Sequence, residues 1–483
     1  MLFRSKGLFP VQDTGQLQAR VEASQAVSFA RMAELQQAVA REILKDPDVS
    51  SLSSQVGVGV SENAMLNTGS MLINLKQERI GDQQQTMDRL RERVATVPGA
   101  TLYLQPTQDL TIDAERGPTP YRVSIEGADK DTVNRWANRL AQQMDGKSVL
   151  RSVVTDAGAT GPSALVQLDR DSAARMVVTA AAIDDALYSA FGQRIISTIF
   201  TETNQYRVIL EAQPGTAPSP QALGNLPLRT ASGKPTTLSS AAIVKEQPAP
   251  LQVTRVGQFP AALVGFDTAP GVALGDAVAA VHAAAAEIQW PGAVSLKFLG
   301  AAGAFEAALN NQLWLILAAI VCVYIVLGVL YESYIHPLTI LSTLPSAALG
   351  ALLALWLSGH ELGMMAVIGI ILLIGIVKKN AIMMIDFALD AQREQGLPPR
   401  RAIEQACRMR FRPILMTTLC ALLGALPLML GQGVGSELRQ PLGLTLVAGL
   451  ALSQLLTLYT TPVIYLAFAR WHRQGASHHQ GMS

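Results

Sequence analysis

The sequence predicts an α+β part made of two ferredoxin-like split βαβ units, the second carrying an insertion, followed by an all-α membrane domain of five transmembrane helices. Two observations lead to this fold class. Long apolar stretches are confined to residues 313–468, where Leu, Ile, Ala, Gly and Met dominate. Residues 1 to about 310 are mixed in polarity and alternate between strand-like and helix-like hydrophobic spacing.

The first unit, residues 1–115, has the predicted order βαββαβ. Apolar side chains at every third or fourth position predict helices at 25–45 and 82–97, and the first helix ends before Pro47. Alternating or short apolar runs predict strands at 16–23, 51–60, 71–76 and 100–105. This order is that of a split βαβ, or ferredoxin-like, unit.

A similar unit follows at 116–159 and 248–300, and an insertion at 160–247 interrupts it. Its predicted helices are 131–144 and 274–288, and its predicted strands are 121–126, 150–156, 252–257, 261–268 and 294–299. The insertion has predicted strands at 164–169 and 205–211 and a predicted helix at 183–191. Such an exposed insertion is either a partner contact or a structural embellishment, and the pattern leaves both open.

Five stretches of the membrane domain, residues 301–470, are apolar and long enough to span a bilayer. They cover 313–330, 338–357, 364–389, 413–430 and 442–468, and a polar tail follows at 471–483. The second, fourth and fifth stretches contain proline, which membrane helices tolerate when neighbouring groups satisfy the freed carbonyl.

Basic residues predict the orientation of these spans. Six arginines lie between the third and fourth spans, whereas the segment between the second and third has no Lys or Arg. The positive-inside rule then places the arginine segment and the C-terminus in the cytoplasm, and residues 1 to about 310 on the other side. A domain of that size needs an export signal, and Met1 to Lys6 is neither a signal peptide nor an anchor. We therefore expect at least one membrane span ahead of this chain.

The segment Lys378-Lys379-Asn380 interrupts the third span. Lys379 lies ~22 Å along a helix that starts at Met364, inside a hydrocarbon core about 30 Å thick. A lysine there is costly and points to ion or proton movement, although a lysine near a helix end also snorkels to the interface. Adjacent lysines point about 100° apart, so one can snorkel while the other faces a bundle. Asp386, seven residues on, is too far for a tight pair, so we expect the partner carboxylate on a segment outside this chain.

Composition excludes several function classes. A net charge of +1 gives no reason to expect nucleic acid as a partner. The three cysteines lie in the C-terminal third, and no His-x-x-x-His or Cys-x-x-Cys pair suggests a metal site. The chain has no Gly-x-x-x-x-Gly-Lys-Ser/Thr loop for ATP and nothing that suggests a hydrolytic enzyme, so an ion gradient is the expected energy source.

Longer motifs carry a family resemblance. Residues 7–15 are GLFPVQDTG and residues 331–333 are YES, while the most specific motifs are GIVKKNAI at 375–382 and RFRPILMTT at 410–418. On these motifs the chain, from about Gly7 to Phe468, resembles the C-terminal half of an RND (resistance–nodulation–division) multidrug efflux pump of the hydrophobe/amphiphile class. Residues 105–110 (QPTQDL) and 190–194 (AFGQR) are similar to the MdtB/MdtC type.

The resemblance implies a layout and partners. The two units would be periplasmic porter subdomains, the insertion a docking subdomain, and the five spans the last of twelve in a bacterial inner-membrane pump. Such pumps are trimers that export drugs, bile salts and other amphiphiles, use a proton gradient and need no other cofactor. The implied partners are the N-terminal half of the same pump, a related RND subunit in a homo- or hetero-trimer, a periplasmic adaptor and an outer-membrane channel.

The resemblance also implies a proton relay. Its implied residues are Lys379, Asn380, Arg410 and Thr417: the relay lysine matches Lys379 by its place before Asn380, and the relay arginine and threonine match Arg410 and Thr417. Arg410 and Thr417 are seven residues apart, so they share one helix face that can be presented towards Lys379. A proton arriving at a partner carboxylate would release the lysine, which gives a two-state element for coupling. The alternative for Arg410 is a cytoplasmic anchor.

One departure concerns the drug pocket. Family members line it with phenylalanines, and the matching positions here are Ser53, Val58, Val60 and Leu72. Valine and leucine keep a pocket apolar but cannot stack on planar drugs. The segment Gly57-Val58-Gly59-Val60, with Leu72, is therefore a candidate substrate pocket or gating loop, and an ordinary strand-to-loop segment is the alternative.

Two functions stay open at this point. The chain is either a proton-driven exporter subunit or a structural partner in a heteromeric trimer whose companion subunit carries the proton flux. RND metal export is disfavoured because the porter part lacks clustered His, Cys or paired Met residues.

Overall fold

The computed structural model describes residues 7–57, 65–112, 117–213, 219–230, 232–250 and 252–479. The chain divides into two compact units. One is formed by the residues up to Ala157 and those from Thr254 onward, and the other is Gly158–Val253.

The first part of the larger unit is a four-stranded antiparallel sheet covered by two helices. In chain order its elements are β1 (Gln16–Ala23), α1 (Phe29–Leu44), β2 (Val49–Val56), β3 (Thr68–Leu75), α2 (Gln83–Val94) and β4 (Ala100–Pro106). This is the βαββαβ order predicted from the sequence, and the strands lie in the order β2-β3-β1-β4. Both helices begin where an N-cap side chain accepts a backbone hydrogen bond, Ser28 for α1 and Asp82 for α2. Their apolar faces pack on alternate strand residues such as Leu17, Val21 and Ile73.

A buried ion cluster joins α2 to the end of α1. Asp48 is only 1 % exposed and accepts hydrogen bonds from the Ile80 amide at 2.9 Å, from Thr86 at 3.2 Å and from Arg89. Arg89 also donates to the buried Asp46 at 3.2 Å. Burial by itself raises the pKa of Asp48, but these hydrogen bonds and the Arg89 charge outweigh it and hold the pKa below its ordinary 3.8.

The motif at residues 7–15 is held by hydrogen bonds from two other segments. The Gln12 amide donates to the Gln108 side chain at 2.9 Å, and the Gln108 side chain donates back to the Gln12 carbonyl at 3.2 Å. The Leu8 carbonyl accepts from the Met364 amide at 2.8 Å. Because Met364 begins the third long membrane helix, this motif connects the first sheet to the membrane domain.

The second α/β part begins with β5 (Tyr121–Gly127), α3 (Lys130–Asp145) and β6 (Leu150–Thr155). The compact unit Gly158–Val253 then follows. Its elements are β7 (Thr160–Leu168), α4 (Arg170–Arg175), α5 (Ala180–Phe191), β8 (Arg194–Phe200), β9 (Gln205–Leu210), α6 (Pro220–Leu223), β10 (Pro227–Arg229), β11 (Pro235–Thr237), α7 (Leu238–Ala241) and β12 (Ala242–Pro250). β7 pairs with β12, β8 with β9, and β10 with β11, all antiparallel. The pattern had predicted β7, β9 and α5 but not β8 or β12.

The chain then returns through β13 (Arg255–Val256), β14 (Phe259–Thr268), α8 (Leu274–Glu287) and β15 (Val294–Leu299). β14 pairs with β5, and β5 with β15, while β6 and β13 both pair with β14. The order β6-β14-β5-β15 repeats the order β2-β3-β1-β4 of the first sheet. The Asp156 carboxylate closes the neck of the insertion, since it accepts from Thr254 at 2.8 Å and from the Leu263 amide at 2.6 Å.

The membrane domain consists of α9 (Gly300–Tyr331), α10 (Ile335–Leu341), α11 (Leu344–Leu357), α12 (Met364–Gln395), α13 (Pro399–Leu430) and α14 (Ser436–His479). Within the described residues, five segments are long and apolar enough to cross a membrane by length and composition. They are Trp314–Tyr331, Ile335–Leu357, Met364–Gln395, Pro399–Leu430 and Ser436–Phe468. The five predicted spans fall within these segments, apart from Leu313 at the start of the first.

The structure adds one detail to the second predicted span and differs from the membrane prediction in two others. The second span is broken into α10 and α11 at Ser342 and Thr343, because Pro345 in the first turn of α11 lacks the amide hydrogen needed to continue a helix. The predicted arginine loop is only residues 396–398, and its arginines lie on the last turn of α12 and the first part of α13. Glu437 lies in the first turn of α14, and α14 runs to His479 through most of the predicted tail.

α13 and α14 approach each other closely at a glycine. A Cβ placed on Gly443 would lie 2.4 Å from the backbone nitrogen of Met429 and 2.6 Å from the carbonyl carbon of Leu428. Backbone atoms cannot move aside as a flexible side chain can, so this position requires glycine for packing rather than for its own backbone conformation.

We predict that Asp48→Asn weakens the first α/β part. Losing hydrogen bonds to a charged acceptor should cost about 1.5–3 kcal/mol of local stability, measured by hydrogen–deuterium exchange of the α2 amides in the full chain. In the wild type, the contribution of the Asp48 carboxylate to stability is complete above pH 3.8 and is lost as the pH falls through its lowered pKa. The variant should therefore lack this acid dependence of stability. Glu42→Gln, in the more exposed pair with Lys45 at 2.7 Å, is the control and should change stability by less than about 1 kcal/mol. Equal protection in Asp48→Asn and wild type would contradict the prediction.

We also predict that Gly443→Ala lowers the apparent unfolding temperature of the detergent-solubilised protein. The clash with the α13 backbone should cost about 1–3 kcal/mol, as overpacking does in other interiors. The matched control is Gly424→Ala in α13, where an added Cβ meets nothing within 4 Å. If Gly443→Ala unfolds at the same temperature as Gly424→Ala or at a higher one, the close approach of α13 and α14 at Gly443 is ruled out.

Candidate functional site

Lys378 and Lys379 point in different directions from the middle of α12. Lys378 is 4 % exposed and packs inside the helix bundle, whereas Lys379 is exposed on the outer face of this chain. The apolar residues Ile368, Leu372 and Ile376 are exposed on α12 as well. Among the residues that the structure describes, no hydrogen bond or ion pair reaches the Lys379 ammonium. The lysine that the motif singles out therefore faces away from the bundle formed by this chain.

Asn380, the next residue, is buried and joins three helices. Its side-chain amide donates to the Thr418 hydroxyl of α13 at 2.9 Å and to the Gln454 side-chain oxygen of α14 at 3.0 Å. The Thr418 hydroxyl donates to the same Gln454 oxygen at 2.8 Å. We call Asn380, Thr418 and Gln454 the polar tie. Each side chain of the tie therefore hydrogen-bonds to another, as polar groups inside a hydrocarbon layer require.

Arg410 stands apart from the other arginines of α13. Its guanidinium carbon lies 4.9 Å from the centre of the Phe387 ring, a cation–π distance, and its Nε is buried without a hydrogen-bond partner in the described part of the chain. By contrast, Arg408 is exposed and pairs with Glu404 at 2.8 Å, and Arg412 is exposed too. Arg410 therefore lies against α12, whereas the side chain of a cytoplasmic anchor would extend into water.

Thr417 makes a local bond only. Its hydroxyl donates to the Ile414 carbonyl one turn earlier in α13, at 3.1 Å. Within the described residues, no hydrogen bond or ion pair joins Lys379, Arg410 and Thr417 to one another. The structure thus brings Asn380 together with Thr418, and it leaves the three other predicted relay residues without mutual contacts.

The predicted pocket segment is only partly described. Gly57 follows β2 with φ at 73°, a left-handed conformation that suits glycine, while Val58, Gly59 and Val60 lie outside the described residues. Leu72 is 39 % exposed on the face of the first sheet that no helix of the unit covers, directly across from Ser53. On this open face the row through Leu72 also contains Gln18 and Gln105, so it is mostly polar and uncharged.

A cleft of about 270 Å³ lies where β4 and β6 come near each other. Arg91 and Asp267 line it; Arg91 pairs with Asp88 at 2.6 Å and Asp267 with Arg151 at 2.9 Å. Burial lowers the pKa of Arg91, and the nearby Arg151 charge lowers it further. The volume is below the roughly 300–1,000 Å³ of small-molecule pockets, so we assign no ligand to this cleft.

Sequence reasoning missed Thr418 and Gln454. A usable signal was present for Gln454, which is the one side-chain amide among the otherwise apolar or hydroxyl-bearing residues 442–468. An amide in such a segment is costly unless a neighbouring helix binds it, so it marks an interhelical contact. Thr418 gave no such signal, because hydroxyls can satisfy themselves on their own helix.

No group of three or more His, Cys, Asp or Glu side chains that could hold a metal ion occurs in the described ranges. Cys322, Cys407 and Cys420 are free and lie on membrane helices. The polar groups around Lys379, Arg410, Thr417 and the polar tie are an ammonium, a guanidinium, hydroxyls and amides. Such groups suit proton transfer and hydrogen bonding rather than the binding of a transition metal.

Two solved structures of a heavy metal efflux pump, crystal forms I and II, have a similar fold. They are each 23 % identical in sequence to this chain, with TM-scores of 0.81 and 0.82. The matches cover 96 % and 97 % of this chain but 48 % and 49 % of the pump chains, so this chain spans about half their length. At this level of identity the likeness establishes the fold alone.

A family model gives the stronger result. The model of the AcrB/AcrD/AcrF family matches residues 1–469, nearly the whole chain. That match includes both motifs around the lysines and the arginines of α12 and α13. This chain therefore belongs to the AcrB/AcrD/AcrF family of RND efflux transporters.

Proposed function

We propose that this chain is the C-terminal half of a proton-driven efflux subunit that exports drugs, bile salts or other amphiphiles across the bacterial inner membrane. Residues 1 to about 310 would lie in the periplasm as two ferredoxin-like porter subdomains and a docking insertion. The observation that carries the proposal is Lys379, an ammonium exposed on the outer face of an apolar helix.

The position of Lys379 requires a partner from outside the described chain. An ammonium that faces lipid in mid-membrane is costly, and Ile368, Leu372 and Ile376, which are exposed on the same side of α12, are apolar. A carboxylate on a helix packed against this face would pair with the ammonium, and the solved pumps are twice as long as this chain. We infer that the N-terminal half of the pump supplies that helix.

Proton import would then act on this pair. A proton on the partner carboxylate removes the charge that holds Lys379, and the ammonium is free to move. Arg410, which the Phe387 ring holds against α12, and the Thr417 hydroxyl would stabilise the carboxylate in its charged state. Alternation between the two states is the element that couples proton entry to movement of the porter part.

Several observations support amphiphiles rather than metal ions as substrates. Soft metals are bound by thiolate or thioether ligands, yet three of the four methionines described in the first α/β part, Met32, Met71 and Met87, are buried in its core, and only Met65 is partly exposed. The open sheet face around Leu72 and Ser53 offers apolar and uncharged polar contacts instead. With the motifs at 105–110 and 190–194, this favours the MdtB/MdtC type, a trimer working with a periplasmic adaptor and an outer-membrane channel.

We predict that Lys379→Met in the full-length pump lowers proton-coupled export about tenfold or more, because the partner carboxylate loses its charged partner. Export is measured in proteoliposomes with an imposed pH gradient, and trimer content is checked by size-exclusion chromatography. The matched control is Lys378→Met, the same change on the adjacent buried lysine, which should reduce export far less. Full export by Lys379→Met would favour the alternative, a structural partner in a heteromeric trimer.

We predict that cells lacking the pump become sensitive to bile salts and detergents but keep their tolerance of silver and copper ions. The minimum inhibitory concentrations of both groups are measured with and without the wild-type pump, and with the Lys379→Met pump as the inactive control. A pump that restores metal tolerance and not bile-salt tolerance would overturn the proposed substrate class.

A further inference from the structure

The polar tie has a particular place relative to the proposed relay. Asn380 directly follows Lys379 on α12, and Thr418 directly follows Thr417 on α13. Successive residues of a helix point about 100° apart, so each tie residue and the relay residue before it face different sides of one helix. The tie residues turn inward to Gln454 of α14, and Lys379 is turned outward.

We propose that Gln454 is a positioning residue for the proton relay. By accepting from Asn380 and Thr418 at once, it fixes the rotation of α12 and α13 about their own axes, and so fixes the direction in which Lys379 and Thr417 point. This inference rests on the proposed proton-driven function. In this role Gln454 does not itself bind or transfer the proton.

The energetics favour this role over simple adhesion. A helix that is hydrophobic nearly all round buries a similar apolar surface at any rotation about its axis. Apolar packing alone therefore does not fix its rotation. In the observed arrangement the Asn380 amide and the Thr418 hydroxyl both donate to side chains of neighbouring helices, and a rotation of α12 would break the two bonds that Asn380 makes. Interhelical hydrogen bonds stabilise helix association inside a membrane, and three of them join Asn380, Thr418 and Gln454.

Few charged groups surround the tie. Lys378 and Lys379 of α12 are nearest along the chain, and Arg412 and Arg410 precede Thr418 on α13 within about two turns. α14 carries no charged residue from 440 to 468, and α11 carries none. None of the three tie side chains is ionisable, so a change in the pH dependence of transport after a change in the tie would report on these neighbouring charged groups rather than on the tie itself.

The test compares Thr418→Val, which keeps the shape of the side chain and removes the hydroxyl, with Thr418→Ser, which keeps the hydroxyl. The full-length pump is reconstituted, and export is measured as a function of pH and of substrate concentration. Ser453→Ala is the matched control, because Ser453 is buried beside Gln454 on α14 and its hydroxyl lies near Thr457 at 3.4 Å, outside the tie.

We expect Thr418→Val to lower the maximal rate roughly 3- to 10-fold and to move the pH of half-maximal export by about half a unit or more, with the KM for substrate unchanged. Thr418→Ser should restore both, and Ser453→Ala should match wild type. A wild-type pH profile in Thr418→Val would overturn the proposal. So would loss of assembled trimer in that variant, because the tie would then serve folding rather than positioning.

Parallel measurement of Lys379→Met separates the two claims. If that variant exports normally, the proposed proton relay fails and the inference fails with it. If it is inactive while Thr418→Val keeps the wild-type pH profile, the relay stands and only the positioning role of Gln454 fails.

Discussion

The pairing of polar groups inside the hydrocarbon layer is the constraint on which the membrane domain depends. Water is absent there, so each amide or hydroxyl must find its partner on its own helix or on a neighbour. Most hydroxyls here bond to a carbonyl of the preceding turn, as Thr343 and Thr445 do. Asn380 and Gln454 cannot be satisfied in that way with all their donors and acceptors. They impose one arrangement on α12, α13 and α14, and the close glycine contacts between these helices are compatible with it.

Hydrophobic spacing was enough to predict most of the α/β part, because each strand and helix there has one buried and one solvated face. The bounds of β1 and β15 agree with the sequence prediction, and α3 differs by one residue at each end. β8 and β12 were missed for the opposite reason. β8 exposes Ile195, Ile199 and Phe200, and β12 is exposed along most of its length, so neither strand alternates between buried and exposed residues.

In the membrane domain, composition predicted where the spans lie but neither their helical bounds nor their rotation. Polar residues extend α12 and α13 beyond the apolar stretches, since a helix continues into the water layer as long as its backbone bonds are made. A helix that is apolar nearly all round has no hydrophobic direction, so the sequence left open which of Lys378 and Lys379 faces inward. Only interhelical contacts decide this, and they depend on residues from several helices at once.

The neck of the insertion has a consequence for the evolution and engineering of this fold. The chain leaves the second α/β part after Asp156 and re-enters it at Thr254. The Asp156 carboxylate, on the leaving side of that gap, accepts hydrogen bonds from Thr254 and from the Leu263 amide on the returning side. The sheet of the second α/β part can therefore form whenever the two ends of the insertion lie close together. The number of residues in the insertion adds little to the entropy cost of closing this loop. In the first α/β part, whose strands have the same order, the corresponding connection runs only from Val56 to Thr68. The same scaffold thus accepts a short loop or a unit of nearly a hundred residues at one position, which makes this connection the natural place to exchange modules between related chains.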